Sequence, residues 1–257
     1  MILLLGGTSD TQTIAEQLAG HGFRVLVSQA TETPLDVGRH EAIERRRGPL
    51  DDRGLAELIE RRGIRVVVDA THPYAAEMHA RARRVAAAMG LPCLSFVRPA
   101  AIGPDEPGVE FAADHNAAAA AAFAQGRAVL LTTGSNHLTP YVDCVRRTGQ
   151  RLVVRVLGNP QSLAACRAAG LSAADILTGR GPFSVDENRR QIRMLDAGAM
   201  VTKDSGLAGG ALEKLAAARL EACRLVVVRR PEGVEQAALA DPAALVEAVL
   251  RLAGHEA

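Results

Sequence analysis

Tryptophan is absent from this chain, and aromatic residues of all kinds make up only 3% of its 257 residues. Stacking platforms for single-stranded nucleic acid need such rings, so that mode of binding is excluded and the core must be aliphatic. Close cysteine pairs are missing too: Cys93, Cys144, Cys166 and Cys223 are scattered. That spacing excludes a disulfide frame or a zinc site and predicts free thiols in a reducing compartment, with no metal bound. No apolar run approaches the roughly 18 residues of a membrane span. The first apolar run starts at Met1 with no basic leader before it, which predicts a cytoplasmic protein. Lysine is nearly missing: of 30 basic residues only Lys203 and Lys214 are lysines, leaving 28 arginines. The net charge of +1 argues against a general polyanion binder. Arginine excess nonetheless suits a small molecule rich in carboxylate or phosphate.

What is present is a rhythm of strands and helices that predicts an α/β fold with mainly parallel sheets. Apolar runs at 1–5, 23–27, 64–68 and 93–97 alternate with helical spacing such as Ile14/Leu18 and Leu55/Leu58/Ile59. Asp51 or Asp52 is placed to cap the second of these helices, and Gly63 to close it. The stretch 98–108 holds three prolines and two glycines without periodicity, so it reads as a linker. Beyond it, strands are expected at 128–132, 152–157, 175–178, 199–202 and 225–228. Ser184 and Glu187 form a capping box for a helix reaching residue 197, and Asp241-Pro242 opens a last helix. Two Rossmann-like lobes with an intervening cleft follow, spanning 1–98 and 99–257. The C-terminal elements could pack on either lobe.

The opening strand ends in Gly6-Gly7-Thr8-Ser9-Asp10. Two glycines permit a tight turn and close approach to a pyrophosphate, the Thr8 and Ser9 hydroxyls can add hydrogen bonds, and a helix follows. Thr11 and Gln12 stand where the full dinucleotide fingerprint would carry a third glycine. The plainer alternative is a strand-to-helix turn capped by Ser9 or Asp10. An NAD site would place Asp or Glu near the end of the second strand. Here Ser28 occupies that region and no acid comes before Glu32. NADP is therefore favoured, with Arg39 and Arg46 of the Arg45-Arg46-Arg47 cluster as partners for its extra phosphate.

A second loop, Asp69-Ala70-Thr71-His72-Pro73-Tyr74, ends the strand at 64–68. Thr71, His72, Pro73 and Tyr74 are expected to border the nicotinamide. In the second half, polar loops follow three strands: Thr132 to His137 with Ser135 and Asn136, Thr178 to Ser184 with Arg180, and Thr202 to Gly206 with Lys203, Asp204 and Ser205. Ser135, Asn136, Arg155, Arg180, Lys203 and Ser205 are the candidate carboxylate binders. Lys203, His72, Tyr74 and Asp204 are the candidate proton donors or catalytic groups.

Taken together, Leu5 to Asp10, Asp69 to Ala75, Thr133 to Asn136 and Thr202 to Gly206 give the chain a resemblance to the precorrin-6A reductases, including their cobalt-precorrin-6A counterparts. The order and spacing agree over essentially the whole chain. The resemblance implies NADPH-dependent reduction of one ring double bond of precorrin-6A to precorrin-6B in cobalamin biosynthesis. The partner would then be a polycarboxylate macrocycle, and neither nucleic acid nor membrane. One alternative is another NADP-dependent reductase or epimerase, but the Tyr-x-x-x-Lys pair common there is lacking, since Met78 follows Tyr74 and Val145 follows Tyr141 at that spacing. The other is a non-catalytic NADP sensor, which has no evident need for the second set of polar loops.

Overall fold

Four- and five-residue aliphatic runs with no polar face make strands that must be covered on both sides, and that is how the N-terminal sequence is used. The computed structural model describes residues 1–31, 35–231, 233 and 238–254. It divides into two units, one of Met1–Pro99 with the chain from Pro231 onward, the other of Ala100–Arg230.

In the first unit, β1 (Ile2–Leu5), β2 (Val25–Gln29), β3 (Ile43–Arg47), β4 (Val66–Asp69) and β5 (Cys93–Ser95) form a parallel sheet of order β3-β2-β1-β4-β5. Alternate residues of β1 face opposite layers, as the period of two requires. Ile2 and Leu4 pack with Ile14 and Leu18 of α1 (Asp10–Gly20) and with Leu245 and Val249 of the C-terminal helix Pro242–Gly254. Leu3 and Leu5 pack with α2 (Asp52–Arg62) and α3 (Ala76–Ala88). Asp51 caps α2 by accepting from the Gly54 amide at 2.7 Å, and Gly63 closes it in the left-handed region at φ 58°.

Two features depart from the sequence expectation. Ile43–Arg47, where no strand was expected, is an edge strand. A charged edge is tolerated because its outer side faces water, and charge there discourages further pairing. The C-terminal chain also returns to the first unit instead of completing a lobe of 99–257. Leu239 adds an isolated bridge beside Phe96, donating to Ser95 O at 2.8 Å and accepting from Val97 N–H at 2.9 Å. Burial of Leu245, Val246 and Val249 holds the helix behind it.

The second unit repeats the principle with β6 (Val109–Ala112), β7 (Ala128–Leu131), β8 (Leu152–Val156), β9 (Ile176–Thr178), β10 (Ala197–Lys203) and β11 (Arg224–Val228). Their order is β6-β11-β10-β7-β8-β9, again all parallel. Helices α4 (His115–Phe123), α5 (Thr139–Thr148), α6 (Pro160–Ala168), α7 (Val185–Leu195) and α8 (Ala211–Leu220) connect them. The capping box of Ser184 and Glu187 is formed, and α7 ends at Leu195, where Asp196 turns left-handed at φ 48°. β6 carries only four residues, too few to register as an alternating pattern in the sequence. Among the described residues no helix is long and apolar enough to cross a membrane.

Candidate functional site

Parallel strands bring all their carboxyl ends to one edge, so each unit collects its loops there. In the first unit Gly6 leaves β1 against α1. A Cβ at Gly6 would lie 2.6 Å from Thr11 Cγ2, so only glycine lets helix and strand approach this closely. Gly7, at φ 156°, is exposed and has nothing within 4 Å of the position a Cβ would take, so the space over the loop is open. Its amide and that of Thr8 donate to Thr11 Oγ1 at 3.2 and 3.4 Å. Thr11 therefore folds beneath the turn where a third glycine was absent. These are long bonds, near the limit of useful geometry. Ser9 is the N-cap residue, yet its side chain makes no capping bond. Arg98 instead donates to Ser9 Oγ at 3.2 Å and forms an ion pair with Asp10. Arg98, read as linker, thus belongs to the glycine loop.

At the end of β2, Arg46 donates to Ser28 Oγ at 3.2 Å and to the Gly48 carbonyl at 2.6 Å. Burial, then the charge of Arg61, lowers the Arg46 pKa. The same guanidinium lines a cavity of about 650 Å³ with Arg61, Arg81 and the first turns of α2. Arg39 is not part of this group. It lies exposed just ahead of β3, whose first residue pairs with Val25 at the amino end of β2, the edge opposite the glycine loop. Glu32 falls outside the described residues.

Beside the glycine loop, the β4 loop is tied down from below. Asp69 is fully buried and its Oδ1 accepts from the Thr71 amide and hydroxyl at 3.1 and 2.7 Å. Its Oδ2 meets Nδ1 of His79 at 2.6 Å. Burial opposes ionisation of Asp69, but the bonds from His79 and Thr71 outweigh it and hold the carboxyl below its usual range. His72 and Tyr74 lie with ring centroids 5.7 Å apart, and Pro73 is buried. Thr8 Oγ1 reaches the Ala70 carbonyl at 3.4 Å, linking this loop to the glycine loop.

The second unit gathers cations at its own edge. Lys203 ends β10 half-buried, and burial lowers its pKa. The stacked rings of His115 and His137, 4.3 Å between centroids, sit within its field. Burial, then Lys203, brings the His115 pKa down to about 4. Buried Tyr141 lies with its Oη 2.9 Å from His115 Nδ1, and burial pushes this phenol up. Neither histidine nor the tyrosine was expected in the site; His137 closes the Thr132 loop, and only its place at the strand end signalled it. Ser135 and Asn136 share that loop, and Arg180 stands exposed on the loop after β9. Half-buried Ser205 packs so tightly on Gly209 that a Cβ there would lie 2.5 Å from its own.

Two expectations change here. Asp204 is not placed to give up a proton: its carboxylate accepts from the amides of Ala101, Ile102 and Gly206 at 2.8–3.1 Å, with Arg230 beside it. Both carboxylate oxygens are occupied by these three amides, so Asp204 anchors the start of the unit. Arg155 is not on the surface to meet a ligand. It is buried, donates to Asn188 and Gln191 at 2.8 Å, and lies 4.0 Å over the Phe183 ring, holding the β9 loop. Burial brings its pKa down to about 10.

Fold and edges together define a two-lobed, Rossmann-like α/β protein with glycine-loop and cationic-loop halves. Comparison with known proteins narrows that class. The family model described as Precorrin-6x reductase CbiJ/CobK matches residues 1–250. A precorrin-6A reductase of Rhodobacter capsulatus is 31% identical, over 90% of this chain and 88% of its own. A cobalt-precorrin-6A reductase of Priestia megaterium is 28% identical, over 90% of this chain and 91% of its own. Among solved structures, a CobK precorrin-6A reductase superposes with a TM-score of 0.78 at 27% identity, covering 98% of this chain and 96% of that one. The chain belongs to the precorrin-6x reductase family and is an oxidoreductase of cobalamin biosynthesis.

Proposed function

We propose that this protein uses NADPH to reduce one ring double bond of precorrin-6A, a CH–CH oxidation run backward, to give precorrin-6B in the cytoplasm. The coenzyme is assigned to the first unit and the carboxylates of the macrocycle to the second. Support for NADP comes chiefly from Arg46 on Ser28 at the end of β2, in a place where an NAD site carries an acid. The open space over Gly7 leaves room for a diphosphate, which would draw the Gly7 and Thr8 amides away from their long bonds to Thr11.

NADPH, when bound, supplies a hydride. The residues of the chain bind, orient and balance charge. Thr8, Ser9 and Arg98 are the donors beside the glycine loop, while Asp10 is neutralised by Arg98. Thr71, His72, Pro73 and Tyr74 border the reacting end. Lys203, Arg180, Ser135, Asn136 and Ser205 receive the macrocycle, and positive charge there makes its conjugated ring a better hydride acceptor. One proton completes the reduction. Burial eases proton release from Lys203, which makes it the first candidate donor ahead of His72 and Tyr74.

The test is NADPH oxidation followed by absorbance, with metal-free and cobalt-bound precorrin-6A offered separately. Oxidation with either substrate supports the reading and identifies the natural one. Coenzyme binding without oxidation in both arms would leave a nucleotide sensor in its place.

A further inference from the structure

We infer that His79 is a doubly donating imidazolium that positions the 70–74 loop for hydride transfer, a role resting on the assignment of that loop to the coenzyme. The sequence gives no hint of it, because a histidine in the second turn of a helix reads as an ordinary core or surface residue. In the structure both its ring nitrogens meet acceptors. Nδ1 lies 2.6 Å from Asp69 Oδ2, and Nε2 lies 3.1 Å from the backbone carbonyl of His72. A carbonyl oxygen can only accept, so Nε2 carries a proton. Asp69, already accepting two bonds from Thr71, is an anion, so Nδ1 carries one as well.

The pair is deeply buried, with His79 2% and Asp69 0% exposed. Burying two charges is costly and is a poor route to stability; aliphatic packing would serve as well. What the pair does that aliphatic side chains cannot is fix the direction of one peptide group. The His72 carbonyl is held from two sides, by His79 Nε2 and by the Ala75 amide at 2.8 Å. The Tyr74 amide in turn donates to His72 Nδ1 at 3.3 Å. Strand β4, helix α3 and the loop are thereby locked through a single ring. Buried beneath the loop and acting through the His72 carbonyl, His79 is a positioning residue.

Two measurements test the assignment. In nitrogen-15 spectra of the whole protein at neutral pH, the His79 ring is expected to carry protons on both nitrogens. A single ring proton would overturn the inference whether or not the enzyme proves to be a reductase. The second compares His79→Gln with the double variant Asp69→Asn, His79→Gln. The single variant strands a buried carboxylate and is expected to be less stable. The double variant removes both charges and is expected to regain most of the lost unfolding midpoint. If His79 positions the loop, the double variant still shows kcat reduced about 10–100-fold, since small displacements of positioning groups cost that much. Its KM for NADPH stays within about threefold of the parent. A double variant with parental kcat would show that the pair is merely structural. Absence of turnover in the parent protein would count against the proposed reaction and leave the spectroscopic test standing.

Discussion

The loop edges of the two units handle buried charge in opposite ways. In the first unit the charges beside the β1 and β4 loops have counter-charges in contact: His79 with Asp69, and Arg98 with Asp10. In the second unit Arg230 lies beside the Asp204 carboxylate, but two other buried cations are held by neutral oxygens. Arg155 donates to two side-chain amides, and Lys214 to the carbonyls of Gly209 and Gly210 at 3.0 and 3.1 Å. Both have lowered pKa values, Lys214 about 8 and Arg155 about 10, because burial removes water without supplying a paired anion. An edge balanced from within suits a loop that must hold one shape. An edge with positive charge left over suits a guest bearing many carboxylates.

The sharpest way to break this contrast is to remove the internal balance of the first unit. Asp69→Ala is expected to cost about 3–5 kcal/mol in denaturant unfolding, because it leaves the His79 ring buried beside no anion. A loss under 1 kcal/mol would mean that the pair carries no charge. Next in size is Lys203→Ala, expected to lower kcat/KM for the macrocycle by about 100-fold, the scale of losing a desolvated charge contact. Full catalytic efficiency in that variant would take Lys203 out of the site. Arg46→Met is expected to raise KM for NADPH by about tenfold while leaving that for NADH unchanged, which steady-state comparison of the two coenzymes reads directly.

The smallest effect is one of pH. The His115 pKa falls from 6.5 unfolded to about 4 folded, through burial and the nearby Lys203 and His137. Between those values the unfolded chain binds a proton that the folded chain does not, so stability falls as pH drops from 6.5 to 4. His115→Gln keeps a hydrogen-bonding group for Tyr141 and is expected to flatten that limb of the urea midpoint against pH. An unchanged slope would place the acid sensitivity elsewhere.

The strand-end loops were legible from sequence because each couples an aliphatic run to small polar residues at a period no other element mimics. The same local logic failed where a role depends on distant partners. Nothing near Asp204 or Arg155 in the sequence announces the amides of residues 101 and 102 or the side chains of Asn188 and Gln191. Arg39 was expected at the coenzyme from nearness in sequence alone; edge strand β3 is too charged to read as a strand, so nothing showed that Arg39 precedes its amino end. His79, Arg98 and His115 were hidden for the same reason: each acts across a fold the linear pattern does not display.

The central claim, that a dinucleotide diphosphate rests over the glycine loop, is tested most directly by NADPH affinity in Gly7→Val. Since no atom lies within 4 Å of the new Cβ, the cost to folding is backbone strain at φ 156°, about 1–3 kcal/mol. The account predicts that the variant stays folded with its unfolding midpoint lowered by no more than that strain, while the Kd for NADPH, measured by calorimetry, rises at least about 100-fold. An affinity equal to the parent's would contradict it.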